Sequence, residues 1–160
     1  MYKTLVRAQV RRNLARLNAG DHGPLSRAAA ADAELCFPGD NSWSRQFRPV
    51  RKGRAASVTH RGTAELEAFA QRFVDLGLRL DVEDILVAGP PWRTRICVRA
   101  TDSVDDHDGH GVYVNRVVVF IEARWGVIRR WEDYLDTERV HDWDARLEAG
   151  EAPADQLEPA

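Results

Sequence analysis

Cysteine is nearly absent: Cys36 and Cys97 are the only two in 160 residues. Two thiols, widely spaced and each set among strand-like apolar neighbours, give neither a disulfide framework nor the paired spacing of a zinc site. They read as buried, reduced packing residues, and a cytoplasmic location is expected. No apolar run approaches the roughly 18 residues of a membrane span, and the first residues lack the apolar core of a secretory signal. A dominant charge is missing too, since 23 basic and 25 acidic residues leave a net −2. The chain as a whole has no electrostatic pull toward nucleic acid or acidic membranes, and neither partner is expected. No segment repeats. What is present, 44% apolar and 30% charged residues, is the make-up of a globular domain. A chain of this length buries roughly 68–70% of its unfolded surface and needs no cross-links.

Periodicity divides the chain. Leu5, Val6, Val10, Leu14 and Leu17 recur at helical spacing over residues 2–18, and Asn18-Ala19-Gly20-Asp21 stops that helix. A short helix is expected from Pro24 to about Ala31, then a strand with Ala33, Leu35 and Phe37 alternating. Residues 41–58 have no clean period and read as a long loop. They hold Arg45, Arg48, Arg51, Lys52 and Arg54 without an acid, interleaved with Trp43 and Phe47. That loop is either a lid that recruits an anionic or carrier-bound substrate, or simply a solvated connection. Leu66, Phe69, Ala70, Phe73, Val74 and Leu76 then mark one stripe of an amphipathic helix opened by Gly62-Thr63.

From Leu78 to Leu135 the pattern is strands. A parity break is expected at Glu83-Asp84, and Gly89-Pro90-Pro91 turns the chain. Thr94, Ile96, Val98 and Ala100 alternate with Arg93, Arg95, Cys97 and Arg99 over residues 92–101. Asp102 to Gly111 reads as a polar hairpin tip; its Asp105, His107, Asp108 and His110 read as solvated rather than as metal ligands. Trp125-Gly126 turns a long strand, Val112 to Glu122, into the last one. Thr137 to Leu147 is a terminal helix capped by Asp136 or Thr137. One domain over residues 1–147, with an acidic tail over 148–160, is expected. The class is α+β: helices packed on a strongly curved antiparallel sheet, leaving a cone-shaped cavity.

The last strand carries the most informative residue. In Trp131-Glu132-Asp133-Tyr134-Leu135, Asp133 shares the parity of Trp131 and Leu135. A carboxylate on a buried face must be paired, protonated or functional, because a lone buried charge costs several kcal/mol.

Several motifs, in the right order over nearly the whole chain, resemble the nuclear-transport-factor-like superfamily. This group includes ketosteroid isomerases, limonene epoxide hydrolases and SnoaL-like polyketide cyclases. Leu17-Asn18-Ala19-Gly20-Asp21 and Ala31-Asp32-Ala33 are similar to the isomerase pattern; Trp131-x-Asp133-Tyr134-x-Asp136 resembles the last strand of the epoxide hydrolases. The resemblance implies a cone-shaped α+β barrel of about three N-terminal helices and one curved sheet, often a homodimer through the open sheet face. It also implies what is missing. The isomerase Tyr, base and protonated Asp would fall at Asn13, Phe37 and near Val118, so that chemistry is rejected. The epoxide hydrolase base corresponds to Asp133, but its water-holding Tyr and Asn fall at Leu35 and Phe37. Its Arg-x-Asp pair has only Arg95-Ile96-Cys97 as a counterpart.

By analogy with this fold, Arg116 shares a pocket-facing parity with Val114, Val118 and Phe120. It is expected either to orient Asp133 or to satisfy it as a structural ion pair. Phe37, Val118, Phe120, Trp131, Leu135 and Trp43 are the expected walls of a pocket for a lipophilic small molecule. Asp133 and Arg116 are the candidate catalytic pair, with no metal and no cofactor. The expected function is a cyclase-, hydratase- or hydrolase-like enzyme; the alternative is a non-catalytic ligand-binding or protein-interaction module on the same fold.

Overall fold

Alternating apolar and polar side chains build most of the molecule, which is seen in a computed structural model describing residues 1–39, 41–46, 56–105 and 108–149. Six strands form one curved, open sheet: β1 (Ala29–Pro38), β2 (Ser57–Arg61), β3 (Arg79–Ala88), β4 (Thr94–Asp105), β5 (Gly111–Arg124) and β6 (Val127–Leu135). Their order across the sheet is β2-β1-β6-β5-β4-β3. Helices α1 (Tyr2–Asn18), α2 (Gly23–Ala28) and α4 (Thr63–Asp75) join the inward side chains of the strands in one apolar core. Short α3 (Ser42–Arg45) and terminal α5 (Thr137–Glu148) lie at one end.

The α+β architecture and the curved sheet match the expectation, with one refinement: β1 runs parallel to β6, so the sheet is mixed. The reason is connection length. A chain that leaves β1 for β2, α4 and three further strands returns to the side of β1 only at its end, free to lie in either direction. The parity break falls where the acidic pair suggested, as a register shift between Val82 and Asp84. Two spans differ from the sequence reading. The segment read as a loop over 41–58 contains α3 and the start of β2, while Phe47, Arg48, Arg51, Lys52 and Arg54 lie outside the described residues. The polar tip is also shorter than expected, because β4 keeps its ladder to Asp105 and buries Asp102 and Val104. His107 lies outside the described residues, and among those described no group of three side chains is placed to hold a metal.

Cys36 on β1 and Cys97 on β4 are both free thiols. Two strands separate β1 from β4, so the thiols are about 14 Å apart across the sheet, beyond disulfide reach.

Helix α1 is fastened along β3 by side chains that substitute for a neighbouring strand. The Asn18 amide donates to the Leu80 carbonyl at 2.8 Å and accepts from the Leu80 N–H at 2.9 Å. Arg7 Nε donates to the Ile85 carbonyl at 3.1 Å. Replacing Asn18 by Ala strips both bonds from Leu80, whose side chain lines the cavity described below. Urea unfolding of Asn18→Ala is expected to show a loss of about 1–3 kcal/mol.

Candidate functional site

The inward residues of β4, β5 and β6 meet α4 around a cavity of ≈ 30 Å³. Phe37, Phe69, Phe73, Leu80, Val117 and Val119 give it apolar walls, and Asp102 and Asp133 are its two carboxyl groups. At about 10–15 Å³ per water molecule the space takes roughly two or three waters. Trp43 from α3 and Leu135 from the end of β6 complete the lining. An aromatic row continues from it, with Trp43 and Tyr113 ring centres 6.4 Å apart and Tyr113 and Trp143 5.5 Å apart.

Four residues singled out from the sequence thus share one cavity: Phe37, Trp43, Asp133 and Leu135. Trp131 sits beside them and donates its indole N–H to Asp133 Oδ1 at 2.7 Å. The Trp131 ring also lines a second, adjoining cavity of ≈ 50 Å³ with Asn13, Leu14, Leu17 and Ile121. The other three take a different face. Arg116, Val118 and Phe120 alternate with the buried Tyr113, Asn115, Val117, Val119 and Ile121, so they project from the outer side of the sheet. Asp133 faces Val119 in the β5–β6 ladder, while Arg116 is paired with Thr101 and exposed. The expected Arg116–Asp133 pair does not form. The physical reason is that β5 is apolar on both faces from Val117 to Ile121, so its pattern carries no phase.

Asp133 is therefore buried, at 6% exposure, with an indole for a partner and no cation among the described residues. Burial drives its pKa up to about 7; the Trp131 hydrogen bond pulls down and the charge of Asp102 adds to the rise. Asp102 is displaced the same way, to about 6, again chiefly by burial, while the Tyr113 hydroxyl and the backbone of Asn115 hold it partly down. Asn115 Nδ2 donates to the Tyr113 hydroxyl oxygen at 3.0 Å, which leaves the phenolic proton for Asp102. Asp102 Oδ1 is buried without a hydrogen-bond partner among the described residues, an acceptor suited to a cavity water.

The sequence reading missed Asp102, Tyr113 and Asn115. For Asp102 the signal existed: the alternation Thr94, Ile96, Val98, Ala100 puts position 102 on the same inward face when carried one step further. The arrangement is two carboxyl groups in one apolar space whose pKa values are raised to different extents. Burial holds both above the usual carboxylate range, so near neutral pH the pair carries protons and can offer both a base and an acid.

Both shifts are upward from the usual value near 4, so the folded chain holds these protons more tightly than the unfolded one. Their contribution to stability is complete below about pH 4 and is lost as pH rises through about 6 and about 7. Asp133→Asn keeps the acceptor for Trp131 and cannot ionise. Its melting temperature is expected to match the wild type near pH 4 and exceed it at pH 8, by on the order of 3–4 kcal/mol of stability. Equal melting curves at pH 8 would show that Asp133 is not desolvated.

No protein-family model matches the chain, and no curated protein does. Solved structures do. An NTF2-like protein of unknown function from Burkholderia pseudomallei is 21% identical, covers 82% of this chain and 91% of its own, and superposes with a TM-score of 0.61. TerC, co-crystallised with polyporic acid, is 21% identical over 84% of this chain and 94% of its own, with a TM-score of 0.61. A proposed polyketide cyclase from Xanthomonas campestris pv. campestris is 20% identical over 88% and 95%, with a TM-score of 0.53. The chain has the NTF2-like fold. Identities at this level carry the fold and not the reaction.

Proposed function

We propose that this chain is a small-molecule enzyme that takes a lipophilic substrate into the conical cavity and uses Asp133 as its acid–base group. The single observation behind this is the pair of buried carboxyl groups, Asp102 and Asp133, on one cavity with no cation beside them among the described residues. In a reaction near neutral pH, Asp133 exchanges a proton with the substrate or a cavity water, and Asp102 on the same cavity is its partner. The ionised carboxylate of the pair accepts a proton from a cavity water or an acidic carbon, and the protonated one donates to the oxygen on which negative charge develops. Cyclisation, hydration and hydrolysis each fit that exchange, and it calls on no cofactor. Ketosteroid isomerisation does not fit, since the resemblance puts Asn13 and Phe37 at its Tyr and base positions. TerC crystallised with polyporic acid and the proposed cyclase support an aromatic or polyketide-like substrate.

A cavity of ≈ 30 Å³ supports a second reading, a binding or interaction module without turnover. The enzyme reading requires Trp43 to yield. Trp43 is buried in the apolar core against Tyr113. Polar contacts also hold its segment: Ser44 and Asn41 bond each other, His60 Nε2 lies 2.7 Å from the Ser44 carbonyl, and Gln46 Nε2 donates to Glu65 at 2.9 Å.

The two readings separate in a thermal-shift screen of steroids, terpene epoxides, aromatic polyketides, acyl thioesters and polyporic acid. A compound at about 100 times its Kd is expected to raise the melting temperature by roughly 5–10 °C. With such a compound as substrate, Asp133→Asn is expected to lower kcat by about 10²–10⁴-fold, and wild-type rates to fall on both sides of the interval between about pH 6 and 7. Turnover unchanged in Asp133→Asn overturns the assignment. Ligand binding without turnover leaves the second reading.

We also propose a homodimer through the outer sheet face, where Val114, Val118 and Phe120 line up on β5 with Tyr134 on β6. Sedimentation at micromolar concentration is expected to give twice the 18.1 kDa chain mass, and Phe120→Asp to return it to monomer.

A further inference from the structure

Among the described residues, large apolar side chains left in water are few, and most of them gather at one end of the molecule. Met1 and Leu5 at the start of α1, Trp92 before β4, and Trp125 and Val127 at the β5–β6 turn are all exposed. A hydrogen bond between the hydroxyls of Tyr2 and Thr94 holds the start of α1 against the Trp92 turn. The Trp125 N–H donates to the Pro91 carbonyl at 2.7 Å, and the two indole rings lie 5.9 Å apart. Trp92 is 57% and Trp125 65% exposed, so the pair buries little of itself and stabilises the fold little.

Neither tryptophan is placed where local chemistry favours one. Trp125 and Gly126 are the two central residues of a hairpin turn, both with positive φ, +54° and +81°. Such a turn prefers Asn-Gly or Asp-Gly, and a bulky side chain at its first position is strained. The Trp92 turn depends on Gly89, where a Cβ would lie 2.1 Å from the Arg93 carbonyl oxygen. The fold accepts strain at the Trp125 tip and exposure at both, and gains no core in return.

Cations surround the pair. A surface recess of ≈ 210 Å³ is walled by Trp92, Arg93, Arg95, Arg124 and Arg129, with Glu122 as its carboxylate. Arg129 is tied to Asp32 at 2.9 Å. Arg93, Arg95 and Arg124 are exposed and make no ion pair among the described residues. Lys3 is exposed on the same first turn of α1. The net charge of −2 describes the whole chain and conceals this local excess.

We propose that this end is a peripheral docking surface for an anionic lipid bilayer. Two tryptophans on adjacent turn tips enter the headgroup layer, Met1, Leu5 and Val127 give the apolar rim, and the unpaired arginines meet lipid phosphates. A second copy of this chain fits poorly, since a two-fold contact here sets like charges against each other. Single-stranded nucleic acid has a use for the indoles and arginines, but none for the exposed aliphatic side chains beside them. The proposal is independent of the cavity chemistry.

The test is co-sedimentation of the full chain with phosphatidylcholine vesicles, with and without about a third phosphatidylglycerol, followed also by tryptophan emission. Binding to the anionic vesicles is expected, with a blue shift as the two exposed indoles leave water, and weaker binding to neutral vesicles and at high salt. Trp92→Ser/Trp125→Asn is expected to lose at least about tenfold in affinity, while melting no lower than the wild type because Asn suits the turn. Arg95→Gln, which alters no turn, is expected to lose about fivefold and serves if the double variant does not fold. No binding to anionic vesicles overturns the proposal, as does binding unaltered in these variants. Equal binding to neutral vesicles overturns it too. Tight binding of a single-stranded oligonucleotide without vesicle binding would reassign the surface to nucleic acid.

Discussion

Two carboxyl groups share the desolvated inner face of the sheet, with no cation beside them among the described residues. A single hydrogen bond contributes about 1–3 kcal/mol, whereas desolvating a lone carboxylate costs more. Trp131 and Tyr113 therefore moderate the effect of burial and do not cancel it, which is why both acids hold their protons into the neutral range. Much of the surrounding structure follows from that imbalance. Apolar walls from α4 and β5 keep the dielectric low, and Asn115 occupies the Tyr113 oxygen so that its proton is directed elsewhere. Asn115 also donates to the Asp136 carbonyl at 2.9 Å, just ahead of α5. One amide thus joins the end of β6 to the group that restrains Asp102.

The long strands give the molecule two ends of opposite character. At one, α3, β5 and α5 bring Trp43, Tyr113 and Trp143 together beneath the surface. At the other, turns carry Trp92 and Trp125 out into solvent amid arginines. The same residue type serves as core where a helix covers it and as surface where none does.

How much of this was legible depended on whether a local pattern had a phase. Helices α1 and α4, the bulge near Glu83 and the shared face of Trp131, Asp133 and Leu135 all follow from spacing, and the structure places them accordingly. The inward face of β5 did not follow, because Val117 through Ile121 are apolar on both sides. Arg116, Val118 and Phe120 were therefore assigned to the wrong face. Asp102 was hidden for another reason: Asp102-Ser103-Val104-Asp105-Asp106 has the composition of a turn, and only pairing with β5 keeps most of it a strand. The parallel pairing of β1 with β6 and the clamp of α1 on β3 are tertiary, with no local signature.

The open sheet ends in two border strands, β2 and β3, each with a row of backbone groups facing away from the sheet. Such a row is a template on which another chain can add a strand, the first step of fibril growth. β2 offers only five residues, Ser57–Arg61, and ends in a charged one. β3 is twice as long, but Asn18 and Arg7 already occupy its Leu80 and Ile85 backbone groups, and the register shift near Glu83 breaks its regularity. The helix clamp that fixes the cavity's edge thereby also keeps the sheet finite.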